Sequence, residues 1–319
     1  MLCPYDKPTQ NFTIRYNLSV NDRTRIIEIC DGQLVGGKFY KNTIQIGDGI
    51  SPVIVTEDTT ASLDVLFADN IVRKEGAGAA TWQLNNTAFI VRNNIFQGSI
   101  DALPLATNTT TSPAGLAAPS LRDPKAYFLL SGSPALNSAI EVSGDAEKDF
   151  FSLPTAVYHN LGFYAGAGTK IPTWISHFDD LTTTGWASEG AVSIIADPAG
   201  DFGNSTQLSA GAVFFRNITT LSPFRFNTRI WVTSSVPNGL PSVQVGDSKT
   251  TVSIDISAQL PFRIGEWQIL EVIISDNGIA ATVDELPLAI RTSRGSLPAA
   301  KFSAGTSELI VDDIFVTPL

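Results

Sequence analysis

Histidine, cysteine and methionine are nearly missing, with two, two and one among 319 residues. So few imidazole and thiolate donors argue against a zinc centre, and neither His159 nor His177 stands in a ligand-like spacing. Charge is scarce as well: 16 % of residues are charged, against a usual share of about 25 %. Lys+Arg 21 against Asp+Glu 31 gives −10, so the basic surface of a sequence-independent nucleic-acid binder is lacking. No run approaches the roughly 18 apolar residues of a membrane helix. Gly-x-Ser-x-Gly, phosphate-loop, Gly-x-Gly-x-x-Gly and His-Glu-x-x-His patterns are absent, and no nucleotide or redox cofactor is implied. What is plentiful is 18 Phe, 25 Gly and 18 Pro among Thr, Ser, Val and Ile, the mix of short strands and turns. The expectation is an all-β chain of two domains.

Met1-Leu-Cys-Pro lacks the regions of a signal peptide. Asn-x-Ser/Thr sequons nevertheless stand at Asn11, Asn17, Asn85, Asn108, Asn204 and Asn217. They point to an extracellular, secreted protein, and together with a start inside a repeat they suggest a chain trimmed at its front.

Four segments align in the first half: Phe12-Thr-Ile-Arg-Tyr-Asn17, Gly37-Lys-Phe-Tyr-Lys-Asn42, Val65-Leu-Phe-Ala-Asp-Asn70 and Phe89-Ile-Val-Arg-Asn-Asn94. The asparagines are spaced by 25, 28 and 24 residues, and Ile14, Phe39, Phe67 and Val91 each lie three before. Large apolar side chains at one recurring strand position mean a face turned inward, and a period in the twenties fits stacked coils. Adjacent coils lie about 4.8 Å apart, so equivalent asparagines stack and pass amide hydrogen bonds between them.

These repeats resemble the C-terminal end of right-handed parallel β-helix proteins of the pectin-lyase-like superfamily, over about residues 5 to 168. A closing segment adds to the likeness: Leu121-Arg-Asp-Pro124, Tyr127-Phe-Leu, Ser133-Pro-Ala-Leu-Asn-Ser-Ala139, Asp149-Phe-Phe151 and Asn160-Leu-Gly-Phe-Tyr164. The family form has Gly after the Asp-aromatic pair and Ile-Gly-Ala-Tyr at the end; Ser152 and Phe163 depart from it. Cys3 and Cys30 lie 27 residues apart, about one coil, a spacing open to a disulfide or to two reduced core thiols.

Outward positions of the same strands read Arg15, Lys38 and Tyr40 in the early coils, a polar face expected to be exposed. Leu66 and Ile90 follow in later coils and need a cover, which the Ala/Pro/Thr-rich stretch 101–120, the closing segment or the second domain could supply. The resemblance admits two chemistries on polysaccharide. A lyase removes a proton beside a uronate carboxylate, which suits Arg15, Lys38 and Tyr40 as base, acid and charge stabilisers. A glycoside hydrolase needs paired carboxylates, and Asp22, Asp31, Glu57 and Asp58 show no paired spacing. A non-catalytic glycan-binding or adhesin-type protein is the third reading.

After Gly168, the stretch Thr169-Lys-Ile-Pro-Thr reads as a linker, which sets domains at 1–168 and 169–319. Phe224, Phe226, Thr228, Ile230 and Val232 share a face, as do Val252, Ile254 and Ile256. Glu266–Ile274 turns through Ser-Asp-Asn-Gly278 into a second strand, and 308–316 forms a last one. The expectation is an antiparallel sandwich of jelly-roll or concanavalin-like type. Phe178-Asp-Asp-Leu, Gly185-Trp186 and Val311-Asp-Asp-Ile314 resemble the first and last strands of jelly-roll carbohydrate-binding modules. That resemblance implies a structural Ca2+ at Asp179, Asp180, Asp312 and Asp313, although solvated acids at strand ends read the same way. Trp174, Trp186 and Trp231 are candidate sugar-stacking rings or core residues. The expected partner is a polysaccharide, with an acidic polymer preferred, and the expected state is a monomer.

Overall fold

The computed structural model describes residues 8–29, 33–57, 62–83, 89–119, 121–172, 174–178, 182–199, 204–217, 223–233, 241–246, 250–256, 262–294 and 299–319. Two compact units divide the chain, Met1–Thr169 and Lys170–Leu319. Cys3 and Cys30 lie outside the described residues, as do Asp31, Asp58 and Asn85.

The first unit is a parallel β-solenoid. Among its described residues, short strands form parallel sheets of five, four and four strands and one further pair. Thr13–Arg15, Lys38–Tyr40, Val65–Ala68, Phe89–Arg92 and Ala106–Thr107 lie side by side in the largest. Ile14 pairs with Phe39, Phe39 with Phe67 and Phe67 with Val91, the register that the repeat predicts.

The first four of these strands end in a bend at Tyr16, Lys41, Asp69 or Asn93, with φ of 53°, 52°, 56° and 53°. A left-handed residue other than glycine costs roughly 1 kcal/mol, and the asparagine that follows supplies the compensation. Asn17 donates its backbone N–H (3.1 Å) and its Nδ2 (3.0 Å) to Asn42 Oδ1. Asn42 does the same to Asn70 Oδ1, both at 3.0 Å, and Asn70 to Asn94 Oδ1 at 2.8 and 3.1 Å. Inside the coils the rings stack too, Phe67 lying 6.2 Å from Phe96 at 5° between planes, with Trp82 edge-on to both.

The closing segment is held in shape by a few buried polar groups. Asp149 Oδ1 accepts from the N–H of Phe151 and Leu153, both 2.8 Å, and its Oδ2 from Ala165 N at 2.6 Å. Asn160 Oδ1 accepts from Asn137 N at 3.0 Å, and the Ser133 hydroxyl from Ala135 N at 3.0 Å. Ser152 has φ 62°, which explains why a glycine suits that position. Phe163 is buried among Phe150 and Phe151.

The second unit is an antiparallel sandwich. Among the described residues, one eight-stranded sheet centres on Phe224–Val232, between Leu309–Pro318 and Trp267–Ser275. A six-stranded sheet opposes it, with Ala299–Ser303 between Val213–Asn217 and Ser242–Gly246. Alternation fills the space between them: Phe224, Phe226, Ile230 and Val232 meet Val252, Ile254 and Phe302 in one buried cluster. Trp267–Ser275 and Gly278–Val283 form the expected hairpin.

Candidate functional site

The solenoid does bring Arg15, Lys38 and Tyr40 together, on two neighbouring strands with Arg15 opposite Tyr40. An Arg15 terminal nitrogen donates to Tyr40 Oη at 2.7 Å, and the guanidinium carbon lies 5.9 Å from the Tyr40 ring centre. The expectation of an exposed face fails, however. Tyr40 is wholly buried, because segment 138–145 crosses over it. Lys38 Nζ donates to Ser143 O at 2.8 Å, Arg15 to Gly144 O at 2.5 Å, and Tyr40 Oη to Gly144 O at 3.4 Å. Val142 and Ile140 pack on Tyr40, Ala68 and Leu66, which gives Leu66 its cover, while Ile90 stays half-exposed. The closing segment was one of three covers the sequence offered for Leu66; that it also spans Arg15, Lys38 and Tyr40 was not legible, because Tyr40 and Val142 are linked by neither period nor motif.

The sequence also pointed to the ladder asparagines for the left-handed bend, whereas the residue just before each one takes it. Lys41 is 2 % exposed and its ammonium pairs with Asp145; Tyr16 Oη donates to the same carboxylate at 3.2 Å. Burial and the Asp145 charge push the Tyr16 phenol above its ordinary value, and burial raises Tyr40 as well. Asp69 Oδ1 accepts from Asn93 Nδ2 at 2.6 Å and from Ile140 N at 3.1 Å. Its Oδ2 is buried with no hydrogen-bond partner among the described residues, and desolvation raises the carboxyl from 3.8 to about 6. The available signal was the residue just before each ladder asparagine: Tyr16, Lys41, Asp69, Asn93. Asp22, a hydrolase candidate, is exposed and bonded to Ser19, and Glu57 ends the strand Val53–Glu57. A cavity of about 150 Å³ opens by the first coils, walled by Ile14, Ile27, Phe39, Ile44 and Phe67.

In the sandwich, the outer face of the eight-stranded sheet carries a second cluster. Trp231 stands opposite Trp267 across neighbouring strands, rings edge-to-face at 5.8 Å, both half-buried. The Arg229 guanidinium carbon lies 4.3 Å from the Trp267 ring centre. Asp313 holds Arg229 at 3.5 Å and Asp312 at 3.9 Å. The register shift between Asn227 and Arg229 marks a bulge, with φ 47° at Asp313, which turns both acids to the same side. Trp267 Nε1 donates to Asp197 Oδ1 at 3.2 Å.

Asp312 and Asp313 are therefore buried and mid-strand, engaged with a cation, where solvated strand-end acids were one expectation. Asp179 and Asp180 lie outside the described residues. No group of three or more His, Cys, Asp or Glu suited to a metal ion occurs among the described residues. Trp186 joins the core edge, stacked on Phe214 at 4.5 Å with Nε1 donating to Ser176 Oγ at 2.9 Å. Trp174 lies on the strand Trp174–Ser176, and its side chain is outside what is described.

No family model and no curated protein matches the chain. Among solved structures it is similar to domain 4 of AbnA, a GH43 extracellular arabinanase from Geobacillus stearothermophilus, captured with arabinotriose. Identity there is 8 % over 46 % of this chain and 92 % of that one, TM-score 0.35. The carbohydrate-binding module CBM66 from Bacillus subtilis shows 8 % identity over 42 % of this chain and 96 % of that one, TM-score 0.30. A Bacillus subtilis protein with a galectin-like fold shows 10 % over 47 % and 96 %, TM-score 0.35.

Proposed function

We propose that the chain binds an extracellular polysaccharide through the outer face of its C-terminal sandwich. One observation carries this: the half-buried Trp231–Trp267 pair borders Arg229, which Asp312 and Asp313 hold in place. An indole face matches the C–H face of a sugar ring, while Arg229, itself buried beneath Trp267 and held by two buried carboxylates, fixes that ring so that binding orders it no further. Binding is preferred over cleavage because the groups named for lyase chemistry, Arg15, Lys38 and Tyr40, are engaged with segment 143–144.

A glycan array followed by calorimetry on the polysaccharides it selects tests the reading. Trp231→Ala and Trp267→Ala are expected to weaken binding about tenfold, equal to about 1.4 kcal/mol. A folded wild-type chain that binds no arrayed glycan, or alanine variants that bind as tightly as wild type, sinks it. Unsaturated uronates or new reducing ends released from pectate, alginate or glucuronan would add lyase or hydrolase activity.

A further inference from the structure

Two lysines of the solenoid are buried, and their surroundings differ. Lys74, 4 % exposed, donates to three backbone carbonyls, Gly47 O at 3.0 Å, Glu75 O at 2.5 Å and Ala77 O at 2.6 Å. One acceptor for each N–H is the cage a buried ammonium needs. Lys41, 2 % exposed, has a single acceptor among the described residues, the Asp145 carboxylate oxygen 104 positions along the chain. Beside its ammonium lies the Tyr16 ring, with the ring centre 5.6 Å away.

Desolvating an ion pair is repaid only when its remaining protons and lone pairs find partners. Lys74 meets that condition and Lys41 does not. Condensation of Lys41 with Asp145 to an amide would remove both charges and two of the three N–H donors. The new carbonyl would still accept from Tyr16 Oη, which donates to the Asp145 carboxylate at 3.2 Å. Burial and the Asp145 charge keep that phenol protonated and therefore a donor. Asp145 is the more open partner, 25 % exposed, so a departing water has a way out. The fold holds amine and carboxyl in contact, which replaces the chance encounter that makes such condensations slow in water.

We infer that Lys41 and Asp145 are the two halves of an intramolecular isopeptide bond, formed with loss of one water, that ties the closing segment to the bend after Lys38–Tyr40. The Lys41 ammonium gives one proton to the Asp145 carboxylate, which leaves a neutral amine against a neutral carboxyl. The Nζ lone pair attacks Cγ and the N–C bond forms, while the Tyr16 O–H holds the oxygen on which negative charge gathers. The C–O bond to the protonated oxygen then breaks, and a second proton from nitrogen leaves with that hydroxide as water. One N–C bond replaces one C–O bond, and nothing is oxidised or reduced. The link lies within the solenoid unit and is independent of glycan binding by the sandwich.

The test is the mass of the full chain after denaturation. A linked chain is lighter than its sequence by one water, and its tryptic digest contains a branched peptide joining Lys41 to Asp145, because trypsin does not cut after an acylated lysine. Wild type is expected to show both, and Lys41→Met and Asp145→Ala are each expected to restore the full sequence mass. Tyr16→Phe keeps the ring and removes the hydroxyl, and is expected to slow the appearance of the lighter chain in cell-free synthesis about a hundredfold. A wild-type chain of full mass, with Lys41 open to trypsin once denatured, overturns the inference. So does a loss of one water that survives Lys41→Met, which would put the dehydration elsewhere. Linkage as fast in Tyr16→Phe as in wild type overturns the part given to Tyr16. If the variants do not fold, the branched peptide of the wild type decides alone: its absence overturns the link.

Discussion

The solenoid and the sandwich are built from the same strand-forming residues, yet they bury polarity in opposite places. In the solenoid, asparagine amides run through the wall of every coil, and Asn70 and Asn94 are wholly buried. In the sandwich, the space between the sheets is apolar and buried charge lies on an outer face, at Arg229, Asp312 and Asp313. Coil stacking explains the difference. A parallel coil must bend several times per turn, and each bend strands backbone groups that a stacked side chain can satisfy in the next coil. Antiparallel hairpins turn at the sheet ends, where water does that work.

Deleting a mid-ladder amide is the strongest challenge to this contrast. Asn70→Ala orphans Asn42 N–H and takes one donor from Phe39 O and from Asn94 Oδ1, which keeps the Asn70 N–H, and is expected to cost the first unit roughly 3 kcal/mol in urea unfolding. Asn17→Ala, at the exposed end, is expected to cost about 1 kcal/mol. Equal losses at the two positions would mean that the column is not the structural spine. In the sandwich a comparable loss needs an apolar deletion, and Phe302→Ala is expected to cost about 3–5 kcal/mol.

Asp69 sharpens the contrast by pH. Its folded value near 6 lies above the ordinary 3.8, so the folded chain holds the proton more tightly than the unfolded chain. This group therefore costs nothing below about pH 4, and stability falls as pH rises through the window from 4 to 6. The full loss is about 3 kcal/mol above it. Asn93 and Ile140 N–H bond the carboxylate, and Lys41 and Arg92 attract it, but burial outweighs all four. Asp69→Asn is expected to match wild type near pH 4 and exceed it at pH 7 in thermal melts. Parallel pH profiles for the two would refute the assignment.

Two left-handed residues make the smallest and most discriminating pair. Ser152 (φ 62°) is exposed, so Ser152→Gly is expected to stabilise by about 1 kcal/mol. Asp313 (φ 47°) holds Arg229, so Asp313→Gly is expected to destabilise despite relieving the same backbone. Gains at both positions would show that the Arg229 cluster holds nothing in place.

Much of the fold was legible. A solenoid contact repeats at nearly constant sequence distance, so Ile14, Phe39, Phe67 and Val91 announced their own register. Hairpin partners such as Ile274 and Ile279 are close in sequence, so their alternation and turn residues sufficed. The candidate sites were half legible. Arg15, Lys38 and Tyr40 were correctly grouped because grouping follows from register, but their accessibility does not. Trp267 went unnoticed as a partner of Trp231 because that pairing spans a long connection without a fixed period.

Periodicity and alternation, properties of the chain read linearly, thus determined the coils, the amide column and the sandwich core. Tertiary structure alone decided which outward surfaces meet water. Segment 138–145 returns to Lys38 and Lys41 across more than 100 residues, and one bulge reorients Asp313 toward Arg229. Such contacts occur once each, and an interaction that occurs once leaves no repeating trace in the order of the residues.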